Sequence, residues 1–409
     1  MSLIVIWSMI CLTVFILPSM DVGLLARLRS RPLKVLLAFT AFKDCISAER
    51  MSEVVTARLL RHNPSLTVAS FPISDGGDGF LASIEGVLQR GQIPCERLRK
   101  VVTGPLGQPV SAEYCLMRTK GTHEPIGIIE IAKISGLEMV PSAQRDVFRT
   151  TNHGVGEILR ELQAMGVRKV LLGLGGTSTI DAGLSILYAL PCFRFEFEDG
   201  RRPGCLTGAD LAYIRRIEKT DLYKDWENLN ITAACDVKNT LLGPEGAVYL
   251  FGAQKGLKDS AAAHYEAIMS RLATTAGQLS SLPSLASLPH SGAAGGVLVG
   301  LKAAFPLTTA VSGFELLGSL GGLDAALASA DVVFTGEGRY DVQSGLGKVV
   351  SQIRRRRSDS IVICGQNTTS DSTLIYDLTA RYGLAASLHS PVPTLQRLID
   401  DLMQTHTRL

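Results

Sequence analysis

Metal-cluster and disulfide signatures are missing from this chain. It has no C-x-x-C pair and no Cys/His group at zinc spacing, and its eight cysteines (Cys11, Cys45, Cys95, Cys115, Cys192, Cys205, Cys235 and Cys364) stand singly. In 409 residues such cysteines read as buried thiols of a reducing compartment. There is no strict glycine period, heptad block or internal repeat, which excludes a fibre, and a 46% hydrophobic composition excludes disorder. Charge of one sign is scarce as well, with a net of +3. Aromatic residues make up 6%, and no basic stripe interleaves with them, which excludes a dedicated nucleic-acid binder. The short basic run Arg354–Arg357, beside Ser358 and Asp359, reads as a solvated helix end.

A long apolar run occurs only at the N-terminus. Leu3 to Leu17 is uncharged and the first charge is Asp21, so the run falls short of the roughly 20 residues that span a bilayer. It lacks a basic leading region and an A-x-A-like cleavage site, which argues against a cleaved signal. Arg27, Arg29, Arg31 and Lys34 follow it. Two readings stay open. One is a membrane anchor that leaves the rest of the chain in the cytoplasm; the other is an upstream extension, with translation starting near Met20. Both make the globular part cytoplasmic, with membrane contact only through residues 3–20.

What is present is an alternation of short apolar runs and helical spacing. Lys34–Phe39, Leu66–Ile73, Gly127–Ile134, Arg168–Leu174, Asn230–Cys235, Ala330–Thr335 and Ile361–Cys364 read as strands. Ala48–Arg61 and Gly154–Met165 read as helices, and Gly104-Pro105-Leu106-Gly107 reads as the turn of a hairpin within 101–116. Strands alternating with helices indicate an α/β architecture with mostly parallel sheets. Ser280–His290, rich in Ser, Pro and Leu, is the candidate linker.

Ligands of open α/β sheets bind beyond the carboxyl ends of strands, and five segments place glycine or a carboxylate there. Ser74-Asp75-Gly76-Gly77-Asp78-Gly79 offers close backbone approach and two oxygen ligands for Mg²⁺, although an ordinary Asp/Gly turn looks the same. Leu172–Gly183 carries Gly175, Gly176, Thr177, Ser178, Thr179 and Asp181. If it opens a helix, its free amides make an anion site. It is not a Walker loop. The strand end Ala234-Cys235-Asp236-Val237-Lys238-Asn239 and the run Ser291–Gly296, with Gly295 and Gly296, come next, the latter equally suited to tight helix packing. Last, Thr335–Gln343, with Lys348 just beyond, offers Glu337 and Asp341 for metal and Arg339 and Lys348 for phosphate or a substrate carboxylate, although a Glu–Arg pair in a solvated loop looks the same. An amide cradle, Mg²⁺ carboxylates and cations are the parts of phosphoryl transfer. His153 reads as a structural histidine, and no other histidine has ligand spacing.

In order along the chain these segments resemble the bacterial glycerate kinase family, the type built from two α/β domains without a Walker loop. The resemblance is carried by Phe42-Lys43 with Ser47-Ala48, Pro72–Gly79, Val102–Gly107, Ile129–Ala132 with Ser135–Leu137, and Gly154–Glu157. It continues through Gly173–Asp181, Ala234–Asp236, Leu242–Pro244 with Phe251–Gly256, Gly292–Gly296 and Thr335–Arg339, from about residue 33 to about 365. It implies ATP- and Mg²⁺-dependent phosphorylation of D-glycerate to 2- or 3-phosphoglycerate. It also implies a Rossmann- or flavodoxin-like parallel-sheet domain (33–73 and 291–409), a second α/β domain (74–290) inserted within it, and an active site in the cleft between them. Residues 1–32 form the N-terminal extension.

The roles the resemblance implies follow from chemistry. Lys43, Arg339 and Lys348 meet phosphate or carboxylate charge, and Asp75, Asp78 and Glu337 bind Mg²⁺ or its waters. Gly76, Gly77, Gly175, Gly176, Thr177, Ser178, Thr179, Gly295 and Gly296 contact phosphate or substrate. Asp181 or Asp236 orients or deprotonates the glycerate hydroxyl, with Asp236 favoured because a strand end places it rigidly. Where the family has A-P-D-S-F-K, this chain has Ala38-Phe39-Thr40-Ala41-Phe42-Lys43, losing a charge and a hydroxyl. A kinase-like protein that binds a small organic acid or nucleotide without turnover is therefore the alternative. After Lys348 the chain looks short of a helix before the next strand. A dinucleotide-dependent oxidoreductase does not fit, because the first strand ends without a fingerprint glycine loop.

Overall fold

A computed structural model describes residues 22–42, 45–74, 76–118, 124–280, 282, 284–341 and 349–404. The apolar run at residues 3–20 lies outside them. No helix among the described residues is long and apolar enough to cross a membrane.

The first strand, β1 (Lys34–Phe39), is buried from Val35 onward, as expected of a parallel strand covered on both faces. The helix Ala48–His62 follows, its first turn closed by Ser47, whose side chain accepts from the Arg50 amide. Then comes β2 (Thr67–Ser70), parallel to β1. The chain next crosses to a second sheet. There β3 (Cys95–Thr103) and β4 (Pro109–Arg118) form the expected hairpin, joined by a turn in which the Gly104 amide donates to the Gln108 carbonyl (2.7 Å). Next are β5 (Pro125–Glu130), β6 (Lys169–Gly173), a separate ribbon of β7 (Phe193–Phe197) and β8 (Ile214–Lys219), then β9 (Asn230–Ala234) and β10 (Thr309–Val311). The six-stranded sheet runs β3-β4-β5-β6-β9-β10, antiparallel at β3-β4-β5 and parallel beyond. The chain finally returns through β11 (Val332–Tyr340), β12 (Ile361–Asn367) and β13 (Ile375–Asp377), completing an all-parallel sheet ordered β13-β12-β11-β1-β2.

Three large apolar clusters fill this α/β frame, and a small fourth gathers Tyr340, Val350, Val362, Cys364 and Ile375. One packs the helices Ala48–His62 and Pro391–Gln404 against the parallel sheet, and another fills the six-stranded sheet. The third joins Leu36, Ala38 and Val333 of the parallel sheet to Cys115, Met117 and Ile128 of the other through Phe71, Phe80 and Phe314. Each such phenylalanine, fully buried, contributes about 1.5–3 kcal/mol. This shared cluster fixes the two sheets against each other, and with them the strand ends that carry the site.

Two expectations need correction. Residues 291–311, grouped by sequence with the parallel sheet, pack with the six-stranded one, because the helix Val297–Ala304 is apolar except for Lys302 and β10 pairs with β9. The helix thought too short after Lys348 is present as Val349–Arg356. Its basic end is tied rather than merely solvated. Arg354 pairs with Asp371 (2.6 Å), Arg356 with Asp324 (2.9 Å) and Glu315 (3.1 Å), and the next residue, Arg357, with Asp359 (3.0 Å).

Candidate active site

The carboxyl ends of both sheets open into one cleft made of two adjoining cavities of about 630 and 490 Å³. In the parallel sheet the chain moves from β1 to β2 on one side and returns as β11 on the other. The cleft thus lies at the switch point of strand order, where ligands of α/β sheets bind. Asp78 and Asp236 line both cavities. Gly77, Gly175, Gly176 and Thr177 line the larger, and Glu337 and Arg339 the smaller.

The segment 76–79 lies across the ends of β6 and β9. A Cβ on Gly175 would overlap Gly77 Cα, so only glycine lets these turns touch. Glu130, at the end of β5, is buried beneath them and accepts the amides of Gly79 (3.1 Å) and Leu81 (2.9 Å). It thereby caps the helix Phe80–Arg90 and holds the backbone that carries Asp78. Burial pushes the Glu130 carboxyl up, against the opposing pull of those amides and of Lys133.

The second glycine segment differs from its sequence reading. The next helix, Leu184–Tyr188, begins only after Gly183, so the turn 175–179 is not a helix N-terminus. Its hydroxyls serve mainly the loop itself. Ser178 Oγ donates to the Ser135 carbonyl (3.0 Å), Thr177 Oγ1 to Asn152 Oδ1 (3.0 Å), and Thr179 Oγ1 accepts from Asn152 Nδ2 (2.5 Å). Asp181 is buried below the turn. It accepts from the Gly183 amide (3.0 Å), from Ser185 Oγ and from Asn152 Nδ2 (3.4 Å), and lines neither cavity. Burial pushes its carboxyl up. Gly295 and Gly296 also lie behind the turn, where the Gly295 carbonyl accepts the amides of Asp181 (3.1 Å) and Ala182 (3.0 Å); it is Ala294 that reaches the cavity. Asp181, Ser178, Thr179, Gly295 and Gly296 are thus placed as scaffold, the cause in each case being bonds or packing that turn them inward. Gly76, packed against the Ala234 carbonyl, is also off the lining.

Asp236 follows β9, and its Oδ1 accepts from the amide of Gly313, first residue of the helix Gly313–Gly321 (3.1 Å). That bond fixes the carboxylate at the seam of the two cavities. Glu337 and Arg339 are not in a turn as sequence suggested. They sit in β11, which pairs with β12 as far as Tyr340 and Asn367, and two-residue spacing puts both on the face that meets the smaller cavity. Thr40, in place of the family's Asp, donates both its amide (3.1 Å) and its hydroxyl (3.0 Å) to the Gly336 carbonyl, and Ala41 lines both cavities. Lys43, Asp75 and Lys348 lie outside the described residues.

Sequence reasoning gave no role to three residues that shape the cleft. Glu130 is one. Lys255, within Phe251–Gly256, lines the larger cavity yet is almost wholly buried, donating to the Thr179 carbonyl (2.8 Å). Burial lowers its ammonium to about 7, although Asp181 pulls the other way. Arg145 lines the same cavity. A cation inside an uncharged, glycine-rich stretch was the available signal for Lys255; nothing local distinguished Arg145.

Among the described residues no group of three or more His, Cys, Asp or Glu side chains is arranged to hold a metal ion. Asp78, Asp236 and Glu337 do bring carboxylates to the wall of one cavity, a hard oxygen donor set that suits Mg²⁺ carried in with phosphate oxygens rather than a dedicated protein cage.

Known proteins resemble this chain over most of its length. The glycerate kinase family model matches residues 35–408. A glycerate kinase of Haemophilus influenzae is 31% identical over 348 residues, covering 84% of this chain and 89% of its own. A glycerate 2-kinase of Escherichia coli is 29% identical over 347 residues, covering 84% and 88%. A crystal structure assigned as glycerate kinase 2, from Salmonella typhimurium, is 30% identical. It superposes with a TM-score of 0.69 over 91% of this chain and 98% of that one.

Proposed function

The chain belongs to the glycerate kinase family, and on that footing we propose that it transfers the γ-phosphoryl group of ATP to D-glycerate, with Mg²⁺. The observation that supports this reading best is the seam: Asp78 and Asp236 stand where a larger cavity with cationic side chains meets a smaller one with apolar walls. Two substrates entering from opposite sides would bring their reacting ends together there. Positioning of this kind, with electrostatic stabilisation, is most of what phosphoryl transfer needs.

In this scheme Asp236, held by the Gly313 amide, accepts the proton of the attacking glycerate hydroxyl as its oxygen bonds to phosphorus and ADP leaves. Arg339 faces the phosphates from β11. Asp78 and Glu337 would hold Mg²⁺ or its waters; the cation, when bound, neutralises charge on the phosphate oxygens. Gly77, Gly175 and Gly176 let backbone approach the transferred group closely.

The test is nucleotide consumption by the purified full chain with D-glycerate and Mg²⁺, with phosphorus NMR to assign the 2- or 3-phosphate. D-glycerate-dependent ADP release carries the proposal. Glycerate or ATP binding without ADP release assigns the binding-only alternative, which Ala41 favours by bringing no hydroxyl to the cleft. Neither binding nor turnover sinks both.

A further inference from the structure

The larger cavity keeps its cations apart from the seam: Arg145 and Lys255 line it and neither reaches the smaller cavity. Resting on the kinase reading above, we propose that Arg145 binds the carboxylate of the acceptor acid in the larger cavity, which makes it the residue that selects a hydroxy acid over a neutral alcohol.

Five observations support this placement of Arg145. Its backbone is held in place by Gly256, whose φ of +85° and missing side chain let the Arg145 carbonyl pack directly against it. Its head group is only lightly engaged. Nε donates to the Val140 carbonyl at 3.3 Å, and its ion pair with Glu138 spans 3.6 Å to a side chain that is 63% exposed. A long pair to so exposed a glutamate is worth little and yields easily to an incoming carboxylate that the half-buried arginine fork can grip at two points. Lys255 is already committed to the Thr179 carbonyl and buried beneath the turn. Arg339 shares its strand face with Glu337 and is, among the described residues, the one cation lining the smaller cavity beside three carboxylates, a setting that suits phosphates arriving with a cation; the larger cavity sets two cations, Arg145 and Lys255, beside Asp78, Asp236 and Glu138. The walls agree: Ile73, Val349, Leu384 and Leu388 line the smaller cavity, surface that a nucleoside covers and a three-carbon acid does not.

The test compares wild type with Arg145→Gln and Arg145→Lys, all confirmed folded by thermal unfolding. For Arg145→Gln the KM for D-glycerate rises about 10- to 100-fold, the range of one charge-assisted hydrogen-bonded contact, while the nucleotide KM stays within about threefold. Lysine restores part of the loss. The neutral amide of glyceric acid is a poor substrate for wild type, and Arg145→Gln narrows the difference between acid and amide. An unchanged D-glycerate KM, or an equal rise in both KM values, overturns the assignment. Calorimetric titration of D-glycerate separates the two claims. If wild type binds the acid without turnover, the kinase reading fails, and loss of binding in Arg145→Gln still supports this inference. If neither protein binds it, the inference falls with that reading.

Discussion

Asp181 and Asp236 look alike in sequence, each a lone aspartate next to small residues in the segment that follows a strand, and the fold treats them oppositely. Asp181 is 2% exposed, with both carboxylate oxygens engaged by Gly183, Ser185 and Asn152 and a cationic neighbour in Lys255. Asp236 uses one oxygen for the Gly313 amide and faces the seam of the cleft. The lesson is that a carboxylate beside a glycine turn is divided between scaffold and chemistry by where its hydrogen-bond partners lie. Asp181 shapes the turn that Asp236 faces.

Four measurements would break or sharpen that contrast. The largest effect is expected for Asp236→Asn, which keeps an acceptor for the Gly313 amide but removes the base. Its kcat/KM falls about 10³-fold, with the unfolding midpoint nearly unchanged. A comparable loss of stability would move Asp236 to the scaffold. Asp181→Ala should behave the other way, leaving buried donors of Gly183 and Ser185 without their acceptor and costing about 3 kcal/mol in urea unfolding. Full stability in that variant contradicts the scaffold role. Glu130→Gln is milder, since the amide presents one oxygen where two backbone N–H groups had an acceptor each. A loss of about 1–2 kcal/mol is expected, together with a raised KM from a looser Asp78 turn.

The last effect is spread over pH rather than read at a single pH. Burial lowers Lys255 from 10.5 to about 7, so between those values the unfolded chain binds more protons than the folded one. Stability therefore gains from Lys255 as pH rises through that window, at up to about 1.4 kcal/mol per unit, and the gain is absent below pH 7. Asp181, pushed up by the same burial, works against it at lower pH. Lys255→Met should flatten the alkaline limb when unfolding midpoints are measured from pH 7 to 10. A limb that persists in the variant would falsify the assignment.

Much of the parallel sheet was legible because its strands are short, nearly continuous apolar runs: Lys34–Phe39 and Ile361–Cys364 need no partner to be recognised. The end of β11 was not. Gly336, Glu337, Gly338 and Arg339 have the composition of a loop, and only pairing with Ile363, Cys364 and Gln366 makes them a strand. Residues 291–311 were assigned to the wrong sheet for a related reason, since glycine and alanine mark close packing without saying against what. Among the candidate site residues, Asp78, Gly77, Gly175, Gly176, Thr177, Asp236, Glu337 and Arg339 do meet at the cleft, while Ser178, Thr179, Asp181, Gly295 and Gly296 turn inward.

By itself the amino-acid sequence determined the alternation of strands and helices, the polar and glycine residues available at the strand ends, and the family, because those depend on local periodicity and on motif order. Tertiary structure alone decided which carboxylate lines the cleft, which cation is buried, and which glycines let backbones touch. Those outcomes depend on burial and on partners distant in the chain, such as Glu130 under Gly79 or Thr179 over Lys255, and burial is a property of the assembled fold rather than of any segment.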